Sequence, residues 1–248
     1  MISKKTIKFI KSLQIKKYRK QEQSFLVEGA KNVQELIMSD YEITLVLGTQ
    51  SFLDNHQKLL DEANIEFVMV KDQELANIGS FKTNNAALAV ARMHGNKKLE
   101  IKKNEFSLVL DGVRDPGNLG TIIRIADWYD IKNIICSSDS ADVYNPKVIA
   151  ATMGSFVRTN LYYTDLVAFI NDYKDMSVYG AFLNGRNIHQ EKFDAGGFIV
   201  VGNESKGINP QLEKCINMKL TIPRFGGAES LNVANATAII CDNIRRNH

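Results

Sequence analysis

Three glycine-bearing segments of this chain end on side chains that can bind a ligand or manage charge. The first is Leu110-Asp111-Gly112-Val113-Arg114-Asp115-Pro116-Gly117-Asn118-Leu119-Gly120, followed by Thr121-Ile122-Ile123-Arg124. It reads as a strand, a tight Pro-Gly turn and a helix start, whose free N–H groups can hold an anion. Arg124 lies one turn into that helix. At about 100° per residue it points about 160° away from Ile122 and Ala126, so it faces a cleft or solvent if they face the core. The second segment is Val200-Val201-Gly202-Asn203-Glu204-Ser205-Lys206-Gly207-Ile208. There a buried strand runs into Gly-Asn-Glu, where backbone can approach a ligand and a carboxylate can accept hydrogen bonds. The third runs from Ile222-Pro223-Arg224-Phe225-Gly226-Gly227 through Ala228-Glu229-Ser230-Leu231-Asn232-Val233-Ala234, with Ser230 or Asn232 opening the last helix. Each segment alone also fits a plain turn or a helix cap. Arg124 alone also fits a surface arginine paired with Asp127.

These segments need elements to carry them. Short apolar runs at 24–28, 43–47, 65–70 and 86–91 predict strands, with helices near 30–38, 51–63 and 72–78. A polar, lysine-rich stretch at 96–104 reads as a linker. The alternation then restarts. Strands are expected at 106–111, 131–136, 157–163, 177–183, 197–202 and 218–222, with helices at 118–129, 146–154, 165–174 and 231–246. Asn145-Pro146 has the form of an N-cap followed by a first-turn proline. Such alternation predicts two α/β domains, the second with a mainly parallel sheet. The domains are expected at 1–95 and 105–248. Ligands of open α/β sheets bind outside the carboxyl ends of the strands, where the three segments fall.

Composition narrows the function. With 44% hydrophobic and 24% charged residues over 248 positions, the chain can build a core and is not read as disordered. The longest apolar runs, such as 86–91 and 198–201, fall far short of the roughly 20 residues that span a bilayer. The N-terminus lacks the long apolar stretch of a secretory signal, so a cytoplasmic protein is expected. Cys136, Cys215 and Cys241 are widely spaced and read as reduced thiols. His56, His94, His189 and His248 are scattered, so neither a metal site nor a histidine triad is expected.

The formal net charge of +3 hides an asymmetry. Lys4, Lys5, Lys8, Lys11, Lys16, Lys17, Arg19 and Lys20 put eight cations and no acid in the first 20 residues. Subtracting these eight from +3 leaves −5 on the rest. With Ile7, Ile10 and Leu13 at helical spacing, residues 1–20 read as a basic amphipathic helix, either a solvated face or a phosphate-contacting one.

In order and spacing, Asn118-x-Gly120-x3-Arg124, Gly202-x-Glu204-x2-Gly207 and Ile222-Pro223 with Ser230-Leu231-Asn232-Val233-Ala234 resemble the three signature motifs of the SpoU/TrmH family. These are RNA ribose 2′-O-methyltransferases of the SPOUT superfamily. The resemblance covers roughly residues 107–246. Phe25-Leu26-Val27-Glu28-Gly29 is similar, more loosely, to the family's N-terminal substrate-binding domain, whose fold resembles a small ribosomal RNA-binding protein. Thr83-Asn84-Asn85-Ala86-Ala87 departs from it where relatives often carry a proline.

The resemblance implies an α/β fold with a C-terminal SPOUT domain, a deep trefoil knot around a mainly parallel sheet, and a small N-terminal α/β RNA-binding-like domain. It implies S-adenosylmethionine as cofactor, held near Gly202, Glu204, Ile222, Leu231 and Asn232. Asn118, Arg124, Glu204, Ser230 and Asn232 are implied to act in catalysis. The RNA is expected to be ribosomal ahead of transfer RNA, contacted by the basic leader, and the chain is expected to form a homodimer through its C-terminal domain. The family proposal makes the arginine a general base. A guanidinium stays protonated in proteins, so Arg124 reads better as a cation that holds phosphate or stabilises an oxyanion. Two other readings remain: an RNA-binding protein that kept the fold without catalysis, and a nucleotide-dependent oxidoreductase. The complete residue set argues against the first, and the missing Gly-x-Gly-x-x-Gly fingerprint against the second.

Overall fold

The computed structural model describes residues 2–246; Met1, Asn247 and the expected scattered histidine His248 lie outside the described residues. Strand and helix alternate along the chain as α1 (Lys4–Ser12), α2 (Lys16–Glu22), β1 (Ser24–Glu28), α3 (Ala30–Ile37), β2 (Ile43–Gly48), α4 (Gln50–Glu62), β3 (Phe67–Met69), α5 (Asp72–Ile78) and β4 (Ala87–Arg92). There follow β5 (Phe106–Leu110), α6 (Pro116–Trp128), β6 (Asn133–Cys136), α7 (Pro146–Thr152), β7 (Asn160–Tyr163), α8 (Leu166–Asn171), β8 (Val178–Asn187), β9 (Gly197–Val201), α9 (Pro210–Glu213), β10 (Met218–Thr221) and α10 (Val233–Arg246). Short 3₁₀ turns occupy Ser155–Val157 and Ile188–Gln190. These elements form two compact units, residues 1–95 with 142–157, and residues 96–141 with 158–248.

In the first unit the sheet order is β1-β4-β2-β3. Strand β4 is antiparallel to β1 and β2, and β2 is parallel to β3. Strand β1 is buried along its whole length, which its unbroken apolar run foreshadows. Segment 142–157 contributes α7, started by Asn145, whose side chain accepts from Lys147 N–H, with Pro146 in the first turn. Its Tyr144 ring lies 4.6 Å from Phe25, and Phe156 meets Phe25 edge-on at 6.0 Å.

The leader differs from a single helix over 1–20. The helix breaks after Leu13, and Ile15 is extended (φ −100°, ψ 126°) before α2 begins. Ile10 and Leu13 are fully buried with Leu26, Leu47, Leu75 and Leu88, so α1 is a core element of this unit. Arg19 is corrected as a phosphate contact, because its side chain is 2% exposed. Its Nη1 donates to the carbonyls of Leu13 (3.0 Å) and Gln14 (2.9 Å), freed by the helix break, and its Nη2 reaches Asp142 at 2.7 Å. The other seven leader cations are exposed.

Replacing Arg19 with Ala is expected to strip partners from two carbonyls and a largely buried carboxylate. Removing one side of a buried pair costs about 3 kcal/mol or more. Urea unfolding should register this loss. Arg19→Lys should recover little, because one ammonium cannot reproduce the fork. A stability within about 0.5 kcal/mol of the parent would refute the anchoring role.

In the second unit six strands run in the order β10-β8-β9-β5-β6-β7, every neighbouring pair parallel. Strands β5, β6 and β9 are buried along their whole length, as strands covered on both faces are. Phe169, Phe198, Val200 and Leu212 sit in one core cluster. Stretch 96–104 has neither helix nor strand, yet it lies pinned along this unit. The Asn96 side chain donates to Tyr163 O (2.9 Å) and accepts from Tyr163 N–H (2.8 Å). Cys136 and Cys241 are buried, burial pushes both thiols up, and all three cysteines are free.

Candidate active site

Strand β5 delivers the first segment to the carboxyl edge of the parallel sheet. Asp115 caps α6 by accepting Asn118 N–H at 2.8 Å, with Pro116 next. The helix start therefore carries its own carboxylate, and the anion site expected there is already filled. This cap also fixes where Asn118 stands. Asn118, half-buried, donates from Nδ2 to Glu204 Oε1 at 2.7 Å. Its Oδ1 accepts from Asn232 Nδ2 at 2.8 Å. Asn232 in turn accepts, through Oδ1, the N–H groups of Ala234 (2.9 Å) and Asn235 (3.3 Å), so Asn232 rather than Ser230 caps α10.

This chain has a fixed direction. The helix N–H groups require the oxygen of Asn232 to face them, which turns its NH₂ toward Asn118. Asn118 must then present its oxygen to Asn232 and its NH₂ to Glu204, whose carboxylate can only accept. Three residues separated by up to 114 positions are thereby oriented as one unit.

The second segment is a closed loop. Asn203 and Gly207 exchange two backbone hydrogen bonds of 3.0 and 2.9 Å, with Gly207 at φ +69°. Gly202 lies against this closure: a Cβ there would stand 2.5 Å from Gly207 O and from Ile208 N. Asp111 Oδ2 accepts Asn209 N–H at 2.6 Å, tying the loop's far side to β5. Burial lifts the Asp111 carboxyl above its ordinary range, and the Asn209 hydrogen bond partly offsets that.

Between this loop and the β10–α10 loop lies a cleft of about 1210 Å³. Gly202, Glu204, Ile222, Ser230 and Leu231 line it, against apolar Val201, Val233 and Ile240. Its volume suffices for a drug-sized ligand, and the small-residue loops leave backbone groups within reach. Ser230 and Leu231 are exposed at the rim. Arg124 is exposed on α6 outside the lining residues, and it has no hydrogen-bond or ion-pair partner among the described residues. Pairing with Asp127 is corrected: that carboxylate is taken by Arg158, at 3.0 Å from Nε and 2.8 Å from Nη2.

Sequence reasoning missed one wall of the cleft. The β8–β10 register jumps from Lys219 opposite Gly180 to Leu220 opposite Arg186. Residues 181–185 of β8 are left without β10 partners, and Ala181 to Asn184 line the cleft. Thr221 Oγ1 donates to Leu183 O at 2.9 Å and holds the bulge. The available signal was Gly185, where a Cβ would stand 2.8 Å from the Lys219 carbonyl carbon; glycine inside a strand marks such irregularities. Asn203 was also missed, although it stands between Gly202 and Glu204.

An all-parallel sheet with a loop-walled cleft at its carboxyl edge belongs to the class of α/β enzymes that take a small-molecule cofactor there. Within that class, the chain belongs to the SpoU rRNA methylase family, matched over residues 105–242. Residues 4–89 match the MRM3-like substrate binding domain. The 23S rRNA (guanosine(2553)-2′-O)-methyltransferase RlmP of Bacillus subtilis is 30% identical over 243 residues, covering 96% of this chain and 95% of that one. A TrmH-family protein from Porphyromonas gingivalis superposes with a TM-score of 0.87 at 35% identity over the full length of both chains. An AdoMet-bound rRNA methyltransferase from Sinorhizobium meliloti gives 0.87 at 25% identity, covering 99% of this chain and 96% of that one. The expected α/β fold with a mainly parallel second sheet therefore holds. Among the described residues no cluster of side chains suited to a metal ion is found, and no helix is long and apolar enough to cross a membrane.

Proposed function

We propose that this chain methylates a ribose 2′-hydroxyl of ribosomal RNA, with S-adenosylmethionine as donor. The observation that carries the reading is the Asn232–Asn118–Glu204 chain beside a cleft lined by Gly202, Ile222 and Leu231. The residues present fit the cofactor. Backbone around Gly202, Ile222 and Leu231 would hold its adenosine part, with Val233 and Ile240 as apolar floor. When bound, the cofactor supplies a methyl group on a sulfonium, which becomes a neutral thioether as the methyl passes to oxygen. The chain's own residues align the hydroxyl and assist loss of its proton. Asn118 and Asn232 present oriented amides, Glu204 an acceptor, Ser230 a hydroxyl at the rim, and Arg124 a cation for phosphate or developing oxyanion. We further propose a homodimer through the second unit, a trefoil knot formed by the segments around 200–207 and 222–232, and a cytoplasmic location.

Calorimetric titration with S-adenosylmethionine, S-adenosylhomocysteine and NAD tests the reading. Saturable binding of the first two and not of NAD, followed by label transfer to ribosomal RNA, is expected. Binding to RNA without either event would return the chain to a non-catalytic RNA-binding protein.

The leader's exposed lysines are the proposed phosphate contacts: Lys4, Lys5, Lys8 and Lys11 on α1, and Lys16, Lys17 and Lys20 on α2. Truncation at residue 20 would not test them, because it also removes buried Ile10, Leu13 and Arg19. Lys8, Lys11, Lys16 and Lys17 are exposed, so replacing them together by Gln removes four charges and leaves buried Ile10, Leu13 and Arg19 in place. The slope of log affinity against log salt should fall by about 0.7–0.9 for each phosphate that is no longer neutralised. Cofactor affinity should not move. An unchanged salt slope would reject the leader as an RNA-binding element.

A further inference from the structure

The Asn203 side chain joins the loop that carries Glu204 to the β5–α6 loop, which leads into the helix carrying Asn118. Its Oδ1 accepts the N–H groups of Ser205 (3.0 Å) and Lys206 (3.1 Å). That forces its Nδ2 the other way, where it donates to Gly112 O at 2.8 Å and reaches Glu204 Oε2 at 3.4 Å. A flipped amide would set donor against donor and oxygen against oxygen, so the orientation is determined. Gly112 is gripped from both sides, since its N–H donates to Ser137 Oγ at 2.8 Å. It also needs its left-handed backbone, at φ +69°.

We infer that Asn203 is a positioning residue for methyl transfer. It fixes the Glu204 carboxylate from the Oε2 side while Asn118 takes Oε1, and it ties that carboxylate to Gly112 of the β5–α6 loop, whereas the 202–207 loop itself is closed by the Asn203–Gly207 backbone pair and does not depend on this side chain's donor. The inference rests on the methyl-transfer reading above. Asn203 lines the cleft between Gly202 and Glu204, and its donor acts through the Glu204 carboxylate. The competing role is a simple turn former, served by its oxygen alone. The two roles use different atoms of one side chain and can be separated.

Asn203→Asp keeps an acceptor for Ser205 and Lys206 and loses both donors. Asn203→Ser keeps a shorter acceptor, cannot reach Gly112 and adds no charge. The assay uses the full chain, labelled S-adenosylmethionine, and ribosomal RNA from cells lacking this gene. A misplacement of catalytic groups by about 1 Å can cost on the order of 100-fold. Both variants should lose roughly 10- to 100-fold in kcat, with cofactor Kd, RNA KM and thermal midpoint near those of the parent. In the Glu204→Gln background the Asn203→Ser change should cost little more, because residues acting as a unit are non-additive. Full activity in Asn203→Asp, a loss confined to Asp and absent in Ser, or a Kd that weakens in step with kcat would each overturn the inference. Failure of the methyl-transfer reading is distinguishable, since the parent chain would then transfer no label.

Discussion

Gly202→Ala is expected to abolish saturable S-adenosylmethionine binding, weakening it by on the order of 100-fold or more. The new methyl would stand 2.5 Å from Gly207 O and from Ile208 N, all of it backbone within a loop closed by the Asn203–Gly207 pair. Real Cβ atoms do not approach backbone that closely, so the loop must open, and the cleft loses the wall it shares with Glu204. Two other glycines calibrate the result. Gly207 has open space around it but φ +69°, so Gly207→Ala should carry only the left-handed penalty of roughly 1–2 kcal/mol. Gly226 has open space and no positive φ, so Gly226→Ala should bind cofactor nearly as well as the parent. Calorimetry on the three variants should rank them 202, 207, 226 in decreasing damage. Parent-like affinity in Gly202→Ala would mean that the loop does not hold the cofactor.

The local part of this architecture could be read from the chain. The apolar run at 24–28 is β1, and the stretch at 72–78 is α5, because burial on both faces or on one stripe leaves a periodic trace. Asn145-Pro146 starts α7 as its residue types require. Contacts between distant residues left no such trace. Nothing in the periodicity of 142–157 tells that its Tyr144 and Phe156 rings pack on Phe25. The leader's helical spacing was correct for Ile7, Ile10 and Leu13, yet composition made Arg19 look like its neighbours. Only the helix break and Asp142, 123 positions away, separate it from Lys16, Lys17 and Lys20.

The site shows the same division. Glycine, carboxamide and carboxylate types at 118, 202, 204 and 232 suggested ligand binding and capping, and the family resemblance supplied their grouping. Their hydrogen-bonded order depends on which amide faces which, and that follows from a helix start at one end and a carboxylate at the other. Asn203 escaped notice because a Gly-Asn pair reads first as a turn. The bulge at 181–185 escaped because a strand's register with its neighbour is a pairing property, absent from the strand's own pattern.

Arg124→Ala is expected to lower kcat by on the order of 100- to 1000-fold, in line with loss of one charge-stabilising donor, while cofactor affinity stays unchanged. Arg124 is exposed and lies outside the cleft lining, so its removal should not disturb the groups around Gly202. The nearby acid on its own helix, Asp127, is engaged by Arg158, which leaves the Arg124 guanidinium available to a substrate. Arg124→Lys should recover only part of the rate, since an ammonium lacks the planar fork that matches phosphate. Its place outside the lining favours a site completed by a second subunit in the proposed homodimer. Mixing makes this testable. An Arg124→Ala chain keeps its cofactor loop, and a Gly202→Ala chain keeps its arginine. In a mixed dimer the two intact parts meet once if the arginine acts across the interface. Random mixing should then restore about a quarter of the parent activity from two inactive preparations. No recovery, with mixed dimers confirmed by differential tags, would place Arg124 beside the cofactor of its own subunit. Parent-like turnover of Arg124→Ala alone would remove it from the mechanism.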